Sequence, residues 1–185
     1  NSQITTYNPV LISNLPYDPE RDLRPVVNMF YVIGGLYSNT AIAANSIREL
    51  AAVARSTSRS LNFGLLGGPG NATDINRQWL GERWGTKLMP IPYKGGNFII
   101  AALASGEIDL TYIGVYNVAG QLQAGKIKIF AVDSVRRDRL LPNVPTFQEI
   151  GLGFSPIRTW IGKGAPSGVS DAAVNRLNSE FVSVF

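Results

Sequence analysis

The 185-residue sequence contains no cysteine and no histidine. These two absences exclude disulfide bonds, the usual zinc-binding residue sets and the Ser-His-Asp and Cys-His arrangements of many hydrolases. An enzyme would then need a nucleophile and a base drawn from serine, lysine and carboxylates, and none stand together at a recognisable spacing. We therefore expect a protein that is not an enzyme and that uses no metal and no cofactor.

Long apolar runs and dense charge are lacking as well. No apolar segment approaches the roughly 20 residues that a membrane helix needs. The composition, 45% hydrophobic and 16% charged, is that of an ordinary globular protein. The net charge is +4, but the 17 Lys and Arg residues are scattered, so we expect no nucleic-acid partner. The chain begins at Asn1 without an initiator Met or a signal peptide, which we interpret as a processed or truncated end.

Helical and extended patterns alternate between residues 44 and 132, and short glycine-containing turns separate them. Capping residues indicate helix starts, which we place at Ser46, Thr73, Asn97 and Ser170. Predicted strands span residues 26–37 (broken at Gly34-Gly35, a hinge candidate), 61–66, 88–93, 107–113, 127–132 and 157–162; predicted helices span 46–56, 73–84, 97–105, 115–124 and 170–185. The alternation predicts an α/β fold with a mainly parallel sheet and helices on both faces.

Two proline-rich passages flank this alternating region. Residues 1–25 predict a connector with one helical turn over Pro9–Ser13. The second passage, Arg136–Pro145, leads to Thr146 and Glu149, whose spacing predicts a capping box on a helix of one or two turns that ends at Gly151.

Two of the predicted strands end in glycine-containing turns that open helices. One turn begins at Gly67, and the other is the segment Ile91–Gly96. Glycine lets backbone N–H groups approach a ligand closely, and a helix amino end carries partial positive charge, so both turns suit a small anion. The first turn matches neither the phosphate P-loop nor the dinucleotide fingerprint, which leaves a small-anion site and a plain turn as the alternatives.

Ten motifs, taken in order, resemble the solute-binding receptors of tripartite tricarboxylate transporters, also called the Bug family. They are Leu15-Pro-Tyr-Asp-Pro, Asp22-Leu-x-Pro-Val, Glu49-Leu, the loop that begins at Gly67, Pro92-Tyr-Lys-Gly-Gly, Gly106-Glu-Ile-Asp, Ala124-Gly-Lys, Ala131-Val-Asp-Ser, Leu141-Pro-Asn-Val-Pro-Thr-x-x-Glu-x-Gly and Trp160-x-Gly-x-x-Ala-Pro. The resemblance covers essentially the whole chain.

The resemblance implies an α/β protein of the type II periplasmic-binding-protein (Venus flytrap) fold, with a ligand held between two lobes. Residues 1–37 would form part of the first lobe and the crossover, residues 38–155 the second lobe, and residues 156–185 the return to the first. Family members carry a further strand, glycine-rich loop and helix before this start, and more chain after this end. The resemblance thus implies a fragment with the second lobe complete and the first partial.

The resemblance also implies a function. It describes a periplasmic, monomeric receptor that captures a small carboxylate, either a di- or tricarboxylate or an aromatic acid, and delivers it to the membrane components of the transporter. In this family the ligand carboxylate is held largely by backbone N–H groups, hydroxyls and water. The alternative is an effector-sensing lobe of a regulatory or signalling protein, which shares the fold class.

The glycine turns and the resemblance together predict eight ligand-binding residues: Gly70, Asn71, Ala72, Thr73, Tyr93, Gly95, Gly96 and Tyr112. Two positions depart from the family pattern. Asp74 stands beside the first turn, where it would compete with an anionic ligand unless its side chain caps the helix. Tyr112-Ile113 replaces a Phe-Asp pair and removes a carboxylate sometimes directed at a ligand amino group. We therefore expect a simple organic acid rather than an amino acid.

Overall fold

The computed structural model describes residues 2–184, and the chain divides into two compact units after Val32 and after Ile157. Unit 1 contains the segments before the first division and after the second, and unit 2 is Ile33–Ile157.

Unit 1 is built on a two-stranded antiparallel sheet. It contains a π-helical turn (Gln3–Tyr7), α1 (Asn8–Leu11), α2 (Pro19–Asp22), β1 (Leu23–Tyr31), β7 (Trp160–Pro166) and α7 (Asp171–Val184). Strands β1 and β7 pair from Leu23 opposite Pro166 to Tyr31 opposite Trp160. Its small core contains Val26, Ala165 and Val174, and α7 is fastened to β1 because the Asn178 amide donates to the Val26 carbonyl over 2.6 Å.

Unit 2 is a five-stranded mixed sheet with the order β4-β3-β5-β2-β6. Its elements are β2 (Gly34–Asn39), α3 (Ile47–Ser56), β3 (Leu61–Leu66), α4 (Ala72–Trp84), β4 (Leu88–Tyr93), α5 (Gly96–Ser105), β5 (Leu110–Gly114), a 3-10 turn (Val115–Asn117), α6 (Ala119–Gln123) and β6 (Ile127–Asp133). Strand β3 is parallel to β4 and β5, whereas β2 is antiparallel to both of its neighbours. The prediction of an α/β unit is confirmed, but the sheet is mixed rather than mainly parallel in its pairing.

Two separate apolar clusters pack on this sheet. One gathers side chains of α3 and α4 with Phe63, Leu65 and Phe147. The other gathers α5 with Tyr37, Ile108 and Val132. Helices therefore pack against both faces, as the alternating sequence predicted.

The predicted strand over 26–37 is two strands in two different units. The break lies at Val32 and Ile33, and Gly34-Gly35 lies inside β2, where Gly34 pairs with Gly114 on one side and Asp133 on the other. The glycines are needed for space: a Cβ on Gly34 would lie 2.2 Å from the Tyr112 hydroxyl oxygen, and one on Gly35 would lie 2.4 Å from that of Tyr37. The two glycines therefore leave room for the side chains of Tyr112 and Tyr37, and they do not interrupt the strand.

The predicted caps of α4 and α5 are both wrong, because each helix starts two residues earlier than predicted. Asn71 rather than Thr73 caps α4, because its side-chain oxygen accepts the Asp74 N–H over 2.9 Å. Gly95 rather than Asn97 precedes α5, in an extended conformation and without a side-chain cap. The caps at Ser46 and Ser170 are confirmed by hydrogen bonds to the N–H groups of Glu49 and Ala173.

Several other predicted bounds shift. Strand β5 starts at Leu110 rather than 107, β7 spans Trp160–Pro166 rather than 157–162, and the helix expected over 115–124 is divided into a 3-10 turn and α6. The capping-box bonds of Thr146 and Glu149 are present, at 2.7 and 3.2 Å, but they close a series of turns and no helix follows. Thr146 instead forms a parallel bridge with Val132 beside β6, and that bridge takes the chain out of a helical path.

Candidate ligand-binding site at the carboxyl edge of the sheet

The carboxyl ends of four strands of unit 2 meet at one edge of its sheet. Leu66 at the end of β3 is paired with Tyr93 at the end of β4. Gly34, at the start of the antiparallel β2, is paired with Gly114 at the end of β5 and with Asp133 at the end of β6. We call these five positions the carboxyl edge. In α/β proteins ligands bind at this edge, where strands lead into loops and helix amino ends.

The first turn at this edge connects β3 to α4 and is held by its own side chains. The Asn71 amide nitrogen donates to the Gly68 carbonyl over 2.6 Å and to the Leu66 carbonyl, while its oxygen caps α4. Thr73 is buried, and its hydroxyl accepts the Leu66 N–H. Gly70 has a φ of 82°, a left-handed conformation that favours glycine. The Asn71 side chain therefore has no remaining donor for an anionic ligand.

The second turn connects β4 to α5 and lies beside the first. The Gly67 N–H donates to the Tyr93 carbonyl over 2.9 Å, which joins the two turns directly. Gly95 is extended and Gly96 begins α5. The structure therefore brings together six of the eight predicted residues, those of the two turns.

Several backbone N–H groups of the two turns have no acceptor anywhere in residues 2–184. Those at the two helix amino ends are the N–H groups of Asn71, Ala72, Thr73, Gly96 and Asn97. The first N–H groups of any helix lack an intrahelical partner, and a side chain takes that place only for Asp74, not for these five groups. Two adjacent helix amino ends thus present five unused donors and the positive ends of two helix dipoles.

Asp74, the departure noted in the sequence, is buried and fully engaged. One carboxylate oxygen accepts from the Arg77 guanidinium at 2.7 Å. The other accepts the Gly70 N–H and the Gln78 amide, each at 2.9 Å. Burial alone raises the pKa of this carboxyl, but the Gly70 N–H, Arg77 and Gln78 outweigh it and hold the pKa below its ordinary value. Its charge is therefore compensated inside the protein.

The two predicted tyrosines use their hydroxyl groups within the protein. Tyr93 donates to Glu107 over 2.6 Å and lines a groove with Lys94 and Phe98 beside α5. Burial and Glu107 raise the pKa of Tyr93 to about 12. Tyr112 donates to Asp133 over 3.0 Å and packs against Phe147 on the α4 face of the sheet. Both hydroxyls thus already have acceptors within the protein.

A buried polar network lies under the α4 side of the edge. Besides Tyr112, Asp133 accepts the Ser155 N–H at 3.4 Å, and the Ser155 hydroxyl lies 2.6 Å from the Asn76 side-chain oxygen. The sequence motifs do not predict this network. Asp133 stands in the Ala131-Val-Asp-Ser motif, which was a signal for it, whereas nothing in the sequence singles out Ser155 or Asn76.

The part of the chain that the structure describes contains no group of three or more acidic side chains arranged to hold a metal ion. In that same part, no helix combines the length and the apolar character that crossing a membrane requires.

The fold is that of the periplasmic solute-binding proteins: a structure titled "Structure of a periplasmic transporter" is 25% identical with a TM-score of 0.90, over 98% of this chain and 60% of that one. Residues 1–185 match the family described as "Tripartite tricarboxylate transporter family receptor". The chain belongs to this family, as the order of its motifs indicated.

Named relatives agree with this assignment. A UPF0065 protein of Bordetella pertussis is 28% identical over 176 residues, which cover 94% of this chain and 53% of the relative. A structure titled "R. palustris Rpa4515 with adipate" is 26% identical with a TM-score of 0.89, over 98% of this chain and 60% of that one. The chain spans about half the length of the curated relatives it matches.

Proposed function

We propose that this protein is an extracytoplasmic, periplasmic receptor that binds a small dicarboxylate and delivers it to the membrane components of a tripartite tricarboxylate-type transporter. The observation that carries the proposal is the set of five unused N–H groups on two turns joined by the bond from Gly67 to Tyr93. Consecutive donors at helix amino ends are suited to a carboxylate, which accepts hydrogen bonds only.

Backbone donors rather than cations would hold the ligand at this edge. Arg77, the guanidinium nearest the first turn in sequence, is already bound to Asp74 and to the Leu88 carbonyl at 2.6 Å. Lys94 is exposed at the second turn and has no partner among residues 2–184. We expect Lys94 to add long-range attraction for an anion, because an exposed ammonium group is screened by water and salt.

Relatives of known ligand support an acid with two carboxylate groups. One structural relative carries adipate. Another, titled "MatC (Rpa3494) from Rhodopseudomonas palustris with bound malate", is 25% identical with a TM-score of 0.83 over 96% of this chain and 60% of that one. Membership of a transport receptor family favours this function over the sensing lobe of a regulator. We also expect the receptor to act as a monomer.

Isothermal titration calorimetry tests the proposal. The panel contains succinate, malate, adipate, citrate and benzoate, with aspartate as the amino-acid comparison. We expect saturable heat with at least one dicarboxylate and weaker or no binding of aspartate, because the carboxylates near the turns, Asp74 and Asp133, already have protein partners. No heat with any acid in the panel would contradict the proposed function.

A further inference from the structure

The Asp74 carboxylate accepts a hydrogen bond from the Gly70 N–H, a donor that would otherwise be available to an anionic ligand. Its oxygen accepts the Gly70 N–H at 2.9 Å, and Gly70 directly precedes the three residues whose N–H groups are unused. A turn of this kind without an internal carboxylate would offer four donors in its Gly70–Thr73 segment. Here one of the four is already bound.

The carboxylate is held in place from the other side as well. Arg77 binds Asp74 through two nitrogens and, through the third, the Leu88 carbonyl at the start of β4. Gln78 binds the same carboxylate. An ionised carboxylate has about four lone-pair sites, and four protein donors now occupy them. Asp74 therefore cannot accept a further hydrogen bond from a donor group of a ligand.

Burial keeps this arrangement in one geometry. Asp74 is 3% exposed, and the Arg77 side chain is 16% exposed. Breaking a buried ion pair by removing one partner is strongly unfavourable, because the other charge is left without compensation. The link from Leu88 through Arg77 and Asp74 to Gly70 thus fixes the turn before any ligand arrives.

We propose that Asp74 is a positioning residue that reserves the Gly70 N–H and restricts the contact of the first turn with an anionic ligand to the N–H groups of Asn71, Ala72 and Thr73. This inference rests on the proposed function of the same site. The sequence predicted that Asp74 and an anionic ligand would compete for the same helix amino end. The proposal replaces this competition by a division of donors: Asp74 binds the Gly70 N–H, and the ligand binds the three N–H groups that follow it.

Backbone amide NMR on the isotope-labelled protein tests this division, with adipate and malate as the probes. In the wild type we expect the Ala72 and Thr73 resonances to shift on titration and the Gly70 resonance to stay in place. The Gly70 amide proton should also exchange slowly with water before ligand is added, whereas those of Ala72 and Thr73 should exchange rapidly until ligand protects them.

Three variants separate positioning from a merely structural role. In Asp74→Ala the Gly70 N–H is released, so its resonance should shift with ligand as strongly as that of Ala72. In Asp74→Asn a single acceptor oxygen remains, for which the Arg77 guanidinium competes with the Gly70 N–H, so the Gly70 resonance should respond to ligand more than in the wild type and at most as strongly as in Asp74→Ala. Glu82→Gln is the matched control, because it removes the same charge from the same helix about 12 Å further along, and it should behave as the wild type.

The outcomes are distinguishable. A wild-type Gly70 resonance that shifts with ligand as much as Ala72 would overturn the division of donors while leaving the proposed function intact. If no amide of either turn responds to either acid, both proposals are overturned. The wild-type titration decides the question even if neither Asp74 variant folds.

Discussion

The hydroxyl oxygen of Tyr112 lies where a side chain on Gly34 would begin, since a Cβ built on Gly34 would stand 2.2 Å from it. From that position the hydroxyl donates to Asp133 across the sheet. The glycine in β2 is thus required by a contact between β5 and β6, and it supports the buried network under the carboxyl edge.

Substitution of Gly34 by Ala should destabilise the protein. The added methyl group would force the Tyr112 ring out of its position, which we expect to lower the free energy of unfolding by about 1–3 kcal/mol. Urea denaturation followed by tyrosine and tryptophan fluorescence measures the change. Gly120→Ala is the control, because a Cβ there meets no atom within 4 Å and alanine suits a helix better. A Gly34→Ala protein as stable as the wild type would contradict the assigned contact.

The ion pair between Asp109 and Arg59 predicts a dependence of stability on pH. Asp109 accepts from two guanidinium nitrogens at 2.6 and 2.7 Å and from the Asn62 N–H at 2.7 Å. Burial raises the pKa of Asp109, but Arg59 and the Asn62 N–H lower it further, so the folded pKa lies below the ordinary value. Its contribution to stability is therefore present above about pH 4 and is lost as the pH falls through the folded pKa.

Asp109→Asn should accordingly cost about 1.5–3 kcal/mol of unfolding free energy at neutral pH, as expected for hydrogen bonds to a charged group. The gap from the wild type should shrink as the pH falls below about 4. Denaturation curves at several pH values test this. Asp171→Asn is the control, since that side chain is 82% exposed and surface pairs contribute little. A gap that stays constant down to the lowest pH would rule out the charge as its cause.

Two prolines protect the outer edge of the sheet in unit 2. Strand β4 is the last strand on its side, and Pro90 and Pro92 alternate along it. A proline cannot donate into a ladder, so both are compatible only with the unpaired side of the strand. Edge strands without such protection pair with other chains.

Replacing both prolines by Val should therefore promote self-association. We expect sedimentation velocity to show dimers or larger species that depend on protein concentration, while the wild type stays monomeric. Pro142→Val, in an exposed turn outside the sheet, should leave the sedimentation profile unchanged. A monomeric double variant would show that the edge is protected by something other than its prolines.

Local signals in the sequence predicted most elements of unit 2, because they depend on neighbours in the chain. The cap predicted at Ser46 forms, because its hydroxyl accepts the Glu49 N–H over 3.2 Å, while the Glu49 carboxylate accepts the N–H of Asn45, one residue before the cap, over 2.8 Å. Asn71 was missed as a cap because both it and Thr73 are good capping residues two positions apart. The choice between them depends on carbonyls of the preceding turn, which bind the Asn71 amide.

Contacts between distant residues could not be predicted in this way. Tyr112 is a reasonable ligand contact by its place near a strand end, yet its hydroxyl is bound to Asp133, 21 residues away. Ser155 and Asn76 are 79 residues apart and meet in the same network. The sequence also indicated that Asp74 would oppose an anion, and only the side chains of Arg77 and Gln78 show how its charge is compensated.

Ala72 offers a test of whether backbone N–H groups of the two turns hold the ligand. Ala72 is the first residue of α4, and Asn71 before it is extended, so proline fits this position and removes only the N–H. Loss of one hydrogen bond to a charged ligand should weaken binding of the preferred dicarboxylate by about tenfold or more in calorimetry. Ala72→Gly, which keeps the N–H, should bind nearly as the wild type does. If Ala72→Pro is folded and binds as tightly as Ala72→Gly, the ligand is not held by this turn.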